Sequence, residues 1–422
     1  MVETRSTPAE IGAVTTTPMQ ADLAVAIVGH NNPDTIGAAL RAAEQGLTRY
    51  FPGRPSVFLL ADQASAEGKV VVARDAVADP TRLIQLSLPS EGQRTGSPTS
   101  RAQILKLCFE SAAALGANAV AVVDAELTLI EPDGIGRLLR PVLEHGVDFV
   151  APYYARPKFA GTITSSIVYP FTRALYGRRI RFPIGGDFAC SAKFGKACAA
   201  QDPWGGDGGR IVTDLWLMHR ALMGGFKLSQ ATIGARSGTP SDEDTELSTV
   251  LARVLGSLFG EAERNVPFWQ KIRTSESVAL VGMPSPVDQG GPTIDLKRTV
   301  DAFRLGLDHL KPVWDSVFPP TTLLELRKLA RRTEDEFRLP DTLWARIVYD
   351  FAIAFHARVM SREHLLSAFT PLYLGWVASH VAELAAAEPS ASERRVEELC
   401  LRFEAEKPYL ISRWRWPDRF NP

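Results

Sequence analysis

Between residues 23 and 234 the chain alternates short, near-continuously apolar runs with segments of helical periodicity, and no other feature restricts the fold as much. The runs are LAVAIVG (23–29), SVFLLA (56–61), RLIQLSL (82–88), AVAVV (119–123) and DFVAPYY (148–154). Strands covered on both faces read this way, because neither row of side chains meets water. Between them, Asn32-Pro33 supplies an N-cap and a first-turn proline ahead of DTIGAALRAAEQ. Residues 99–115 carry apolar positions at helical spacing and stop at Gly116. This β-α-β-α order predicts an α/β, Rossmann-like, doubly wound and mostly parallel sheet. Ligands of such sheets gather beyond the carboxyl ends of the strands, so the residues just after each run are the candidates for chemistry.

Downstream the pattern changes. A loop-rich stretch, VGMPSPVDQGGPT (281–293), is followed by amphipathic helical segments with almost no strand signal. The expected organisation is a leader at 1–20, an α/β ligand-binding domain at 21–280, the loop at 281–293 and an α-helical C-terminal extension at 294–422. The most membrane-like stretch, 365–384, is interrupted by Thr370, Pro371, Ser379 and His380, so it reads as a buried helix and not as a span. The leader lacks a basic segment followed by an apolar core, and the expected location is cytoplasmic. Cys108, Cys190, Cys198 and Cys400 are scattered and read as buried thiols in a reducing compartment. The formal net charge of −1 provides no global field for nucleic acid or anionic lipid, so an anionic ligand needs a local site.

Two strand ends carry the chemistry. AVAVVDAELTLI leaves the fourth run at Asp124-Ala125-Glu126; two carboxylates two residues apart on extended chain point to one side. Hard oxygen ligands of this kind suit Mg²⁺ or Mn²⁺ bridging a diphosphate, while the bland alternative is a strand-end turn and helix cap. Asp62 leaves the second run, where an acid accepts hydrogen bonds from a ribose or a base. There is no GxGxxG and no GxxxxGK[ST], so dinucleotide and P-loop sites are unsupported. His30 follows the first run and faces the same end; the other histidines read as ordinary helix residues, and RWRWP (413–417) as tail packing.

In order along the chain, these segments resemble the nucleotide-sugar glycosyltransferases of the GT-A, family-2-like type. AIVGHNNPDTIGAAL is similar to their opening strand and helix, LLADQASAEG to their nucleotide loop, and VVDAELTLIEPDGI to their metal motif. PYYARPKFAGTITSSIVYPFTRALYGRRIRFPIGGDFACS and IVTDLWLMHRALMGGFKLSQATIGAR resemble segments of the mannosylglycerate, glucosyl-3-phosphoglycerate and mannosylglucosylglycerate synthases. The resemblance spans residues 23–260. It implies that Asp62 meets the nucleoside, that Asp124 contacts the donor, and that Asp124 and Glu126 hold Mg²⁺ or Mn²⁺ with the diphosphate. It places the Pro183-Ile184-Gly185-Gly186-Asp187 turn against sugar and acceptor, and Asp214 beneath the reacting centre. Arg156 would meet an acceptor carboxylate, with Lys158 beside it.

The implied activity is transfer of a hexose from a UDP- or GDP-sugar to a small anionic, glycerate-like acceptor. With retention, as in those synthases, Asp187 or Asp214 orients the sugar; with inversion, one of them is the base. A homodimer fits this reading; nucleic-acid binding and a membrane span do not. Three departures stand out: Glu126 replaces an aspartate, EGQRTGSPTSRAQ offers only Arg94 and Arg101 where the family has a lysine, and residues 233–238 lack the histidine that gives a third metal ligand. Two rivals remain, a nucleotidyltransferase of similar fold and a non-catalytic sugar-nucleotide-binding protein derived from a transferase. The first is disfavoured by GHNNPDTIG after the first run, where a basic glycine-rich loop is needed.

Overall fold

A computed structural model describes residues 20–29, 33–62, 73–86, 101–125, 128–201, 210–236, 246–284 and 293–416. Its strands are β1 (Leu23–Gly29), β2 (Ser56–Asp62), β3 (Leu83–Leu86), β4 (Ala119–Asp124), β5 (Thr128–Ile130), β6 (Phe149–Ala155), β7 (Arg178–Arg179), β8 (Phe188–Ser191), β9 (Leu228–Arg236), β10 (Glu276–Ser277) and β11 (Ala279–Val281). Each of the five apolar runs contributes a strand, and β1 and β4 are buried along their whole length, as two-sided cover requires.

The main sheet runs β11-β9-β6-β8-β4-β1-β2-β3, with β5 added antiparallel to β9. β1 pairs in parallel with β2 and β4, and β2 with β3. The expected α/β, mostly parallel sheet is therefore present. Several strands lie outside the five runs, among them β8, antiparallel between β4 and β6. Only four residues long, between a glycine-rich turn and a helix capped by the Ser191 hydroxyl, it presents too short a run to be read from periodicity. The helix foreseen at 99–115 spans Arg101–Ala114. Another, Pro132–His145, begins on proline and ends at Gly146 in the left-handed region, with φ 61°.

The chain divides into two compact units that interleave in sequence. One comprises 1–154, 185–241 and 279–284; the other 155–184, 242–278 and 285–422. The linear division at residue 280 differs from this, because 155–184 and 242–278 join the helical unit. Within that unit the reason is both apolar and ionic. Trp344 of the helix Asp341–Ala357 donates from its indole to Ser166 O at 2.9 Å. Arg173, almost fully buried, pairs with Glu404 at 2.6 Å and with Glu397 on the helix Pro389–Arg415. Arg181 pairs with Glu393 at 2.8 Å. The apolar stretch near 365–384 forms the helix Thr370–Leu384, which packs Leu372, Trp376 and Ala378 into the core of this unit as a buried helix. All four cysteines are buried and unpaired, as expected.

Candidate active site

The strand order β3-β2-β1-β4 sets the position of the site. From β1 the chain winds outward through β2 and β3, then returns to the other side of β1 as β4. At such a reversal the connections on either side diverge and leave a crevice beyond the carboxyl ends of the strands. Asp124, the last residue of β4, stands there beside Val28 of β1, and Asp62 ends β2 beside Gly29. Asp124 is buried, with 3% of its surface exposed.

β8 brings a second carboxylate to the same point. Because β8 runs against β4, its amino end meets the carboxyl end of β4, and Asp187 lies immediately before it. Asp187 Oδ1 accepts the backbone N–H of Asp124 at 2.8 Å, and Oδ2 accepts the hydroxyl of Tyr154, from β6, at 2.5 Å. The turn ahead of Asp187 needs both glycines. Gly186 has φ 89°, and a Cβ on Gly185 would stand 2.2 Å from Pro152 Cγ. Arg236, at the end of β9, donates to Gly185 O at 2.7 Å, with its guanidinium 5.0 Å above the Tyr154 ring.

A third carboxylate, Asp214, comes from the helix Arg210–Met223. What joins the three is Arg101, the first residue of its helix and 5% exposed. Its Nε donates to Asp214 Oδ1 at 3.0 Å, its Nη1 to Asp124 Oδ2 at 3.1 Å, and its Nη2 to Gly186 O. Burial alone favours the neutral guanidine, but Asp214, Asp124 and Asp187 outweigh it and hold Arg101 charged, its pKa raised above the usual arginine value. Arg101 thus stands as a fixed cation beside these acids, in a dry setting where electrostatic effects are strong.

Asp124, Asp187, Asp214, Gly185 and Gly186, all named from sequence, meet in one place. The side chain of Asp62 and the whole of Glu126, His30 and Arg94 lie outside the described residues. Arg156 belongs to the helical unit, where its guanidinium rests 5.0 Å from the centre of the Phe182 ring. Lys158 corrects an expectation. Its ammonium is not offered to a ligand but donates to Leu384 O at 2.7 Å and Ala387 O at 2.9 Å, at the end of the helix Thr370–Leu384. A lysine there answers carbonyls left without helical partners. Sequence reasoning gave no role to Tyr154 or Arg236, and it named Arg101 only as one of two arginines, with Arg94, in the segment where the resembled family has a lysine.

The described residues do not by themselves fit a resident metal ion. Among them, no group of three or more His, Cys, Asp or Glu side chains is placed to hold one. The carboxylate expected to be a ligand, Asp124, already faces a guanidinium. A cavity of about 260 Å³ opens elsewhere, at the amino ends of β1 and β4, lined by Asp22, Arg54, Asn118, Asp148 and Lys193. Its charges pair among themselves, Arg54 with Asp22 at 2.6 Å and Lys193 with Asp148 at 3.4 Å, and it lies at the wrong end of the strands for the ligands of this fold.

No protein-family model matches the chain, and no curated protein matches it. Solved structures similar to it include glucosyl-3-phosphoglycerate synthase from Mycobacterium tuberculosis in complex with phosphoglyceric acid, at 15% identity and TM-score 0.41, covering 57% of this chain and 79% of that one. Mannosyl-3-phosphoglycerate synthase from Rubrobacter xylanophilus is similar at 18% identity and TM-score 0.44, covering 60% and 77%. A mycobacterial protein is similar at 18% identity and TM-score 0.42, covering 58% and 74%. Another structure of the Mycobacterium tuberculosis synthase is a complex with Mg²⁺ and uridine diphosphate. These synthases fall in the group that the sequence motifs resemble.

Proposed function

We propose that the chain is a nucleotide-sugar glycosyltransferase, moving a hexose from a UDP- or GDP-sugar to a small anionic acceptor with retention of configuration. The observation that carries this reading is the convergence of Asp124, Asp187 and Asp214 on buried Arg101 at the carboxyl end of β4. Glycosyl transfer builds positive charge on the sugar as the nucleotide diphosphate leaves. Carboxylates fixed in a dry site stabilise such charge without reorganising, and they accept hydrogen bonds from sugar hydroxyls. Asp187, held from both sides by Asp124 N and Tyr154, is suited to orient the sugar; Asp214, held by Arg101, flanks it. Retention asks for no separate base. Mg²⁺ or Mn²⁺ belongs to this proposal only as an ion arriving with the diphosphate.

Binding is tested by thermal unfolding of the purified protein against a panel of UDP- and GDP-sugars at about 1 mM. A ligand at 100 times its dissociation constant stabilises the native state by about 2.7 kcal/mol, enough for a clear rise in melting temperature. The reading expects at least one donor to give that rise and Asp187→Ala to reduce it. No shift from any donor, with or without Mn²⁺, would count against it.

A further inference from the structure

We propose that Arg101 is the resident cation of this site and keeps the nucleotide-free protein from binding a divalent metal among its carboxylates. The inference rests on the proposed donor-binding site and assigns a positioning role within it. Three observations meet here. First, a single guanidinium takes one oxygen from each of two carboxylates, on β4 and on the helix Arg210–Met223, and its third donor reaches the backbone of the Gly185-Gly186 turn. Second, the cation is buried and cannot be replaced by water or bulk ions; its partners are equally buried, at 5% and 6% side-chain exposure. Third, no three-ligand group stands ready among the described residues, although three acids approach one another there.

The chemistry of the donor set explains why these facts belong together. Three carboxylates from separate elements all stay ionised in a dry volume only where a cation stands between them, since like charges at short range raise one another's cost of ionisation. A divalent ion is one solution and a guanidinium is another. The ion comes and goes with concentration, whereas Arg101 is covalently fixed and, through its planar fork, sets the direction of both carboxylates. With Asp124 Oδ2 and Asp214 Oδ1 already engaged, a metal would have to displace a guanidinium that its own helix holds in place. Mg²⁺ and Mn²⁺, which favour several oxygens in near-octahedral array, gain too little from what is left among the described residues. The sequence departures point the same way, because residues 233–238 supply no histidine.

The test reads metal binding directly, without turnover. Mn²⁺ is titrated into nucleotide-free protein and the free ion is followed by electron paramagnetic resonance. The expected result is no saturable binding by the unmodified chain below about 1 mM, and at least about tenfold tighter binding by Arg101→Gln, which leaves the acids without their cation. Arg101→Lys keeps the charge and is expected to behave like the unmodified chain. Should Arg101→Gln be destabilised in buffer, its melting temperature is expected to rise with Mn²⁺ while that of the unmodified chain does not. Stoichiometric, micromolar Mn²⁺ binding by the unmodified, nucleotide-free chain would overturn the proposal. So would Arg101→Gln that stays folded and gains no Mn²⁺ affinity. Neither result bears on the transferase reading, which is decided by donor binding and turnover.

Discussion

Tyr154 shows how little in this site is left to chance at the level of single residues. Its ring is buried beneath Arg236 and its hydroxyl reaches Asp187 Oδ2. Removing the hydroxyl leaves a buried carboxylate short of a donor, which costs about 1.5–3 kcal/mol when the acceptor is charged. Tyr154→Phe is therefore expected to lower kcat about tenfold or more while leaving the donor KM within a few-fold, as befits a group that aims Asp187 and does not grip substrate. Steady-state kinetics check this, and an equal loss in donor affinity would assign Tyr154 to binding. Asp124 and Asp187 were legible in the sequence because an acid at a strand end and one behind a Gly-Gly turn each have a local signature. Arg101 was legible only as a cation where the resembled family has a lysine; its place among the carboxylates was not, because only the fold brings β4, β8 and the helix Arg210–Met223 around it.

Elements with strong periodicity were legible, and those defined by tertiary pairing were not. β1 and β4 announced themselves as unbroken apolar runs, whereas β8 depends on its neighbours for its existence. The helix Thr370–Leu384 was read as a buried helix from its polar interruptions, and one of those interruptions gives it a measurable property. His380 is 3% exposed, stacked on Trp376 with ring centres 4.6 Å apart, and burial pushes its pKa down to about 4. In the unfolded chain the imidazole titrates near 6.5, so between pH 6.5 and 4 the unfolded state binds the extra proton. Stability contributed by the neutral ring is present above pH 6.5 and is lost as pH falls through this window, by roughly 3 kcal/mol at 1.36 kcal/mol per pH unit. His380→Gln is expected to flatten that part of the profile relative to the unmodified chain in urea unfolding at stepped pH. Parallel curves for the two proteins would show that the ring is protonated in the native state.

At the scale of the molecule, the alternation of strand and helix told the fold class, but the interleaving of the two units stayed hidden. Nothing in the composition of 155–184 or 242–278 marks them as belonging with the C-terminal helices; Arg173 and Trp344 declare it only through partners more than 170 residues away. A chain ending at residue 284 would leave the buried faces of the helices Tyr169–Tyr176 and Leu247–Arg264 without their partners in that unit. Such a chain is expected to be insoluble or aggregated in size-exclusion chromatography, since a large bare apolar face associates; a monodisperse, stable product would contradict the division. The central claim concerns chemistry, and one measurement meets it most directly. Purified protein is incubated with each UDP- and GDP-hexose and with glycerate or phosphoglycerate, and both nucleoside diphosphate and glycosylated product are quantified. The account predicts acceptor-dependent release of nucleoside diphosphate, stoichiometric with a new glycoside, and a fall of about 100-fold or more in kcat for Asp187→Ala. Release of nucleoside monophosphate and hexose 1-phosphate in place of nucleoside diphosphate, or no turnover of any donor that binds, would contradict it.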